Sequence, residues 1–100
     1  MNTIPLIEQE EDVSVEESLD SGFESRLIVY NDDYNTFDWV IQSFMEVCGH
    51  SLEQSEQLSL IIHFKGKAVV KTGDFDTLKP MKDALVDRGL SAVIESVVTD

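Results

Sequence analysis

Between Phe37 and Cys48 the apolar residues fall at Phe37, Val40, Ile41, Phe44, Met45 and Cys48. That is the i, i+3, i+4, i+7, i+8, i+11 rhythm of one helical face, without a gap. A face so wide must be covered by other parts of the chain, so the rest has to supply a partner surface. The ends of this helix are also written locally. Asn35 or Thr36 can accept hydrogen bonds as its cap, Asp38 suits the positive first turn, and Gly49 can adopt the left-handed conformation that stops it. Upstream, residues 26–30 are apolar and β-branched and read as a strand. The loop 31–37, Asn-Asp-Asp-Tyr-Asn-Thr-Phe, joins that strand to the helix.

Downstream, Ser51 with Gln54 three residues later is a capping-box signature for a second helix. It runs to Phe64 or Lys65, with Gly66 as its stop; Leu58, Leu60, Ile61 and Ile62 form its apolar side, and His63 stands at its C-terminal end. Residues 67–72 alternate as a strand, and Gly73 and Asp74 punctuate it. A third helical pattern follows at Phe75, Leu78, Met81, Ala84 and Leu85, ending at Gly89. Pro80 lies inside it, lacks an N–H and should kink the helix or delay its regular part until just before the proline. Residues 90–98 give a last strand. The order β-α-α-β-α-β predicts an α+β fold: a three-stranded antiparallel sheet covered by three helices on one face.

Charge divides the 100 residues in two. Residues 1–24 carry 8 acids and no Lys or Arg, whereas residues 25–100 carry 12 acids against 7 bases. The first segment has few large apolar groups to offset the cost of ordering its backbone, so 1–24 is expected to be a disordered acidic extension and 25–100 the folded domain. A net charge of −13 repels phosphate backbones and anionic lipid, which excludes nucleic acid and membrane surfaces as partners and favours a cationic ligand. No basic leader and no long apolar run is visible, and the lone Cys48 fits a reducing cytoplasm.

Three constellations carry candidate chemistry. In the first, the loop acids and His63 converge. A loop leading into a helix N-terminus ordinarily attracts anions, but Asp32 and Asp33 reverse that sign. An ammonium needs acceptors on several sides, and the Asn31 carbonyl, the Asp32 carboxylate and a neutral His63 nitrogen supply them. The same loop acids also suit plain turn and cap chemistry. The second is a metal-binding or metal-dependent hydrolytic site using Asp32, Asp33 and His63, with Asp38 nearby, although no Cys/His spacing or calcium-loop pattern is present. The third is Cys48 as nucleophile with His50 or His63 as base. Cys48 sits in the apolar stripe of the first helix, where a thiol is inert, and no oxyanion or phosphate-binding motif accompanies it. A binding module that needs no cofactor fits better than an enzyme.

The segment 27–41, Leu-Ile-Val-Tyr-Asn-Asp-Asp-Tyr-Asn-Thr-Phe-Asp-Trp-Val-Ile, followed by Leu-Ile-Ile-His-Phe-Lys-Gly-Lys-Ala at 60–68, closely resembles the ClpS family of Clp protease adaptors. The resemblance extends over about residues 25–98. It implies an adaptor, acting as a monomer, that binds N-degrons: proteins with a free α-amino group and a large hydrophobic first residue. It implies delivery to the N-terminal domain of a Clp/Hsp100 AAA+ unfoldase of the ClpA or ClpC type, with a mobile N-terminal extension used in transfer.

Carried over by position, Asn31, Asp32 and His63 resemble the residues that hold the α-amino group. Asp33, Asn35, Phe37, Val40, Ser59, Ile62 and Leu90 resemble the rim and walls of the side-chain pocket. Four positions depart from the family pattern. Asn35-Thr36-Phe37 stands where Thr-Pro-Met is usual, so an aromatic ring replaces the methionine gate that excludes β-branched residues. Ser59 stands where another methionine is common. The resemblance further implies an unfoldase contact at Asp76, Lys79 and Lys82.

Overall fold

The computed structural model describes residues 23–98. The acidic segment expected to be disordered lies outside these residues, apart from Phe23 and Glu24. Those two are strand, because β1 spans Phe23–Tyr30 and begins earlier than its apolar run suggests. The remaining elements are α1 (Phe37–Cys48), α2 (Leu52–Lys65), β2 (Lys67–Gly73), α3 (Phe75–Asp87) and β3 (Ser91–Val98). β1 lies at the centre of an antiparallel sheet of order β2-β1-β3. It pairs Tyr30 with Lys67 on one side and with Ser91 on the other. The expected fold is therefore present.

Two of the three helices begin at a residue whose side chain accepts a backbone hydrogen bond, whereas Asp74 at the start of α3 makes no such bond. Thr36 Oγ1 accepts from Trp39 N at 3.1 Å, and Ser51 Oγ accepts from Gln54 N at 3.0 Å. α2 stops at Gly66, whose φ of 93° is left-handed and whose N–H donates to the Ile62 carbonyl at 2.8 Å. One core fills the space between sheet and helices. Leu27 and Val29 of β1, Ala68 and Val70 of β2 and Ala92 of β3 meet Phe44, Cys48, Ile62, Leu78 and Leu85 there.

Two local expectations change. Pro80 does not interrupt α3, which is continuous from Phe75 to Asp87. Its missing N–H would have bonded the Asp76 carbonyl in the first turn, where the exposed chain leaves that oxygen open to water. The apolar side assigned to α2 is also revised. Ile62 is buried and Leu58 half-buried, but Leu60 and Ile61 are about 40 % exposed. The inward positions are Ser55, Ser59 and Ile62, so small hydroxyl residues face inward where a larger apolar set was expected.

Candidate functional site

The C-terminal end of β1 and the C-terminal end of α2 are brought together by two linked contacts. Tyr30 pairs with Lys67, and one residue on, Asn31 N donates to the Gly66 carbonyl at 2.9 Å. Gly66 therefore caps α2 through its N–H and anchors the loop through its carbonyl. This sets Asn31, Asp32 and Asp33 beside His63, on the last turn of α2.

Asp32 organises the loop. Its Oδ1 accepts from the backbone N–H groups of Tyr34 and Asn35, and its Oδ2 from Asn35 Nδ2, all at 2.8 Å. Partial burial pushes its pKa up, but these three hydrogen bonds outweigh that and hold the carboxyl below the usual value, so Asp32 is anionic at neutral pH. The turn reading of this loop thus holds for Asp32, and Thr36, not Asn35, caps α1. The arrangement also stores a fixed negative charge at the loop, as a cation site requires.

Asn35 Nδ2 donates a second hydrogen bond, to the Gly89 carbonyl at 2.9 Å, and Trp39 Nε1 donates to the Arg88 carbonyl at 3.0 Å. The Arg88 guanidinium lies over the Trp39 ring at 5.3 Å and pairs with Glu46 at 2.8 Å. These bonds clamp the turn between α3 and β3 against the start of α1, and Leu90 follows directly. Trp39, Arg88 and Gly89 were not foreseen as positioning residues. Their partners are about fifty residues away in sequence, so no local pattern signals them.

The result is a cavity of about 480 Å3. Its mouth carries Asn31, Asp32, Asp33 and His63, and its walls carry Asn35, Phe37, Val40, Ser59, Ile62 and Leu90, so every residue picked out for a pocket lines the same space. Val29, Tyr30 and Leu60 line it as well. No Lys or Arg does, so the two carboxylates set its sign. Phe37, 44 % exposed, stands at the rim, whereas Ser59, Ile62 and Leu90 are buried.

The other constellations do not assemble. Among the described residues no three His, Cys, Asp or Glu side chains lie close enough to hold a metal ion. Cys48 is buried in the core, which pushes its thiol pKa up despite the attraction of Lys71, and the His50 Nε2 bonds the Val70 carbonyl at 2.7 Å. A carbonyl only accepts, so that nitrogen carries the proton and has no free lone pair to act as a base. Asp76, Lys79 and Lys82 lie on α3, away from the cavity. Lys79 and Lys82 both reach Asp83, at 2.6 and 3.2 Å. No helix among the described residues is long and apolar enough to cross a membrane.

A small α+β domain with an acidic-mouthed apolar cavity, its cysteine buried and its histidines apart, is built for binding. Comparison with known proteins gives the family. The model of the family described as "ATP-dependent Clp protease adaptor protein ClpS" matches residues 23–93, and the chain belongs to that family: it is an adaptor of the Clp protease and not an enzyme. The ClpS adapter of Corynebacterium diphtheriae is 28 % identical over 86 residues, covering 86 % of this chain and 76 % of the relative. That of Streptomyces coelicolor is 31 % identical over 68 residues, covering 68 % of this chain and 71 % of the relative. The structure of Agrobacterium tumefaciens ClpS2 bound to L-phenylalaninamide superposes with a TM-score of 0.65 at 17 % identity, covering 77 % of this chain and 100 % of the other. At that identity the likeness is one of fold.

Proposed function

We propose that this adaptor binds N-degron proteins by their free α-amino group and large hydrophobic first residue, and delivers them to the N-terminal domain of a Clp/Hsp100 AAA+ unfoldase of the ClpA or ClpC type. The observation that carries the reading is the juxtaposition of Asn31, Asp32, Asp33 and His63 around the mouth of an apolar cavity that no cation lines. Such a mouth favours an ammonium, and the walls favour one apolar side chain behind it. L-phenylalaninamide, the ligand of the structural relative, has that chemistry: a free amine next to a phenyl ring.

Each charge-assisted hydrogen bond to the ammonium contributes roughly 1.5 to 3 kcal/mol, and burying the first side chain about 2 to 3 kcal/mol. After the cost of association, a binding free energy on the order of −8 kcal/mol, low micromolar, is expected. In the same proposal the acidic segment before β1 takes part in transfer, and Asp76, Lys79 and Lys82 on α3 contact the unfoldase. Among the described residues the metal-dependent alternative lacks a donor set.

Calorimetric titration with peptides beginning Leu, Phe, Ile and acetyl-Leu tests the reading. Leu and Phe peptides should bind in the micromolar range, acetyl-Leu at least thirtyfold more weakly, and the Ile peptide should report what Phe37 does at the rim. Equal affinity for the free and acetylated Leu peptides would refute recognition of the α-amino group.

A further inference from the structure

The described residues contain three buried serine hydroxyls with no hydrogen-bond partner, those of Ser43, Ser55 and Ser59. Burying a hydroxyl unpaired is costly, and such groups are rare. Ser43 and Ser55 are not part of the cavity wall; Ser59 is. Its Oγ is covered, so a ligand in the cavity meets this hydroxyl once the side chain turns to another χ1 rotamer.

Its position along α2 gives the depth. Ser59 is four residues before His63, on the same helical face and about 6 Å further along the axis. His63 is exposed at the mouth, whereas Ser59 is 3 % exposed, with Val40, Ile62 and Leu90 forming the apolar wall around it. The cavity thus has a polar, anionic mouth, an apolar middle and one lone hydroxyl about a helical turn inside. A ligand that matches all three has an ammonium, an apolar ring and a polar tip. Phenylalanine meets the first two and leaves the hydroxyl unpaired. Tyrosine carries a phenolic O–H to about that depth and can donate to or accept from the serine, because both hydroxyls do both and the serine rotor is free to turn.

We propose that Ser59 is a specificity-determining residue that makes this pocket select an N-terminal tyrosine over phenylalanine. The proposal rests on the α-amino reading of the site and adds to it the class of first residue preferred. A neutral hydrogen bond made where its partner is otherwise unpaired corresponds to a roughly three- to tenfold preference.

The test is titration of the full chain with three peptides identical except for a first residue of Tyr, Phe or Leu, each also in acetylated form. The expected result is Tyr tighter than Phe by three- to tenfold, with the ratio falling to about one in Ser59→Ala. Tyr and Phe binding equally to the unaltered chain, while both exceed their acetylated forms, would overturn the role of Ser59 and leave the α-amino reading standing. A Tyr preference that survives in Ser59→Ala would overturn it too. Free peptides that bind no better than acetylated ones would overturn both. The first comparison uses the unaltered chain, so the outcome does not depend on the variant folding.

Discussion

Asp32 is asked to do two things, and Asp32→Ala with Asp32→Asn separates them. Alanine removes both carboxylate oxygens and with them three hydrogen bonds, from Tyr34 N, Asn35 N and Asn35 Nδ2. The Tyr34 N–H is exposed and water can replace its partner, while Asn35 Nδ2 keeps its bond to Gly89. The structural loss is therefore well under three full hydrogen bonds, about 1 to 2 kcal/mol, or a melting temperature lower by roughly 5 to 15 °C for a domain of this size. Binding loses more than geometry, because the cationic ligand loses a counter-charge. At about 1.5 to 3 kcal/mol for a charge-assisted contact, affinity should drop between about tenfold and 150-fold. Asparagine keeps an oxygen for the two backbone donors but turns its NH2 toward Asn35 Nδ2, donor against donor, and carries no charge. It should melt closer to the unaltered chain yet bind a Phe-initiated peptide about as poorly as alanine does. Calorimetry of both variants, with thermal melts alongside, decides the point. Binding by Asp32→Asn within threefold of the unaltered chain would show that the carboxylate only shapes the loop and that its charge is not read.

The pH dependence follows from the same group. Its folded pKa lies below the ordinary value of about 3.9, so its contribution is fully present above that pH and fades as pH falls through the lower folded value. The stability gap between the unaltered chain and Asp32→Ala should stay level from pH 8 down to about 5 and close below about 4, as urea melts across that range will show; a gap that closes near pH 6 would mean another group is responsible. Gly66→Ala meets no atom within 4 Å, so its cost comes from the left-handed backbone alone, about 1 to 2 kcal/mol by chemical denaturation, and a neutral result would contradict the φ of 93°. Cys48 should react with a thiol reagent at least a hundredfold faster in urea than in buffer; similar rates in both would mean that the first helix does not bury it.

What could be read ahead of the fold depended on range. The stripe from Phe37 to Cys48 is periodic, and its centre survives folding: Ile41, Phe44 and Cys48 are buried, while Phe37 and Met45 at its edges stay exposed. α2 was harder. Its run Leu58-Ser-Leu-Ile-Ile offers apolar residues to nearly every direction, and the inward side is chosen by what lies opposite. Ser55 and Ser59 face inward against their polarity, which hydropathy cannot anticipate. Pro80 looked disruptive because propensity considers the helix interior, whereas it stands only five residues after the first residue of α3, near enough to the end for its lost hydrogen bond to be replaced by water. The cavity residues were legible through their resemblance to a known family. The bonds that position them, Asn31 to Gly66 and Asn35 and Trp39 to the Arg88–Gly89 turn, join segments far apart in sequence and have no local signature.

The link from Asn31 to the Gly66 carbonyl has a consequence for how long the protein lasts once it is loaded. The two halves of the cavity are thirty-odd residues apart in sequence, and the link between them sits one residue beyond the end of the β1–β2 pairing. Loss of this link separates the two sides of the cavity, so a ligand that needs both sides binds only the folded chain and stabilises it by about 2.7 kcal/mol at a hundredfold excess over its dissociation constant. Under the proposed function the adaptor would then be hardest to unravel while its ligand is bound, and easiest once the ligand has left.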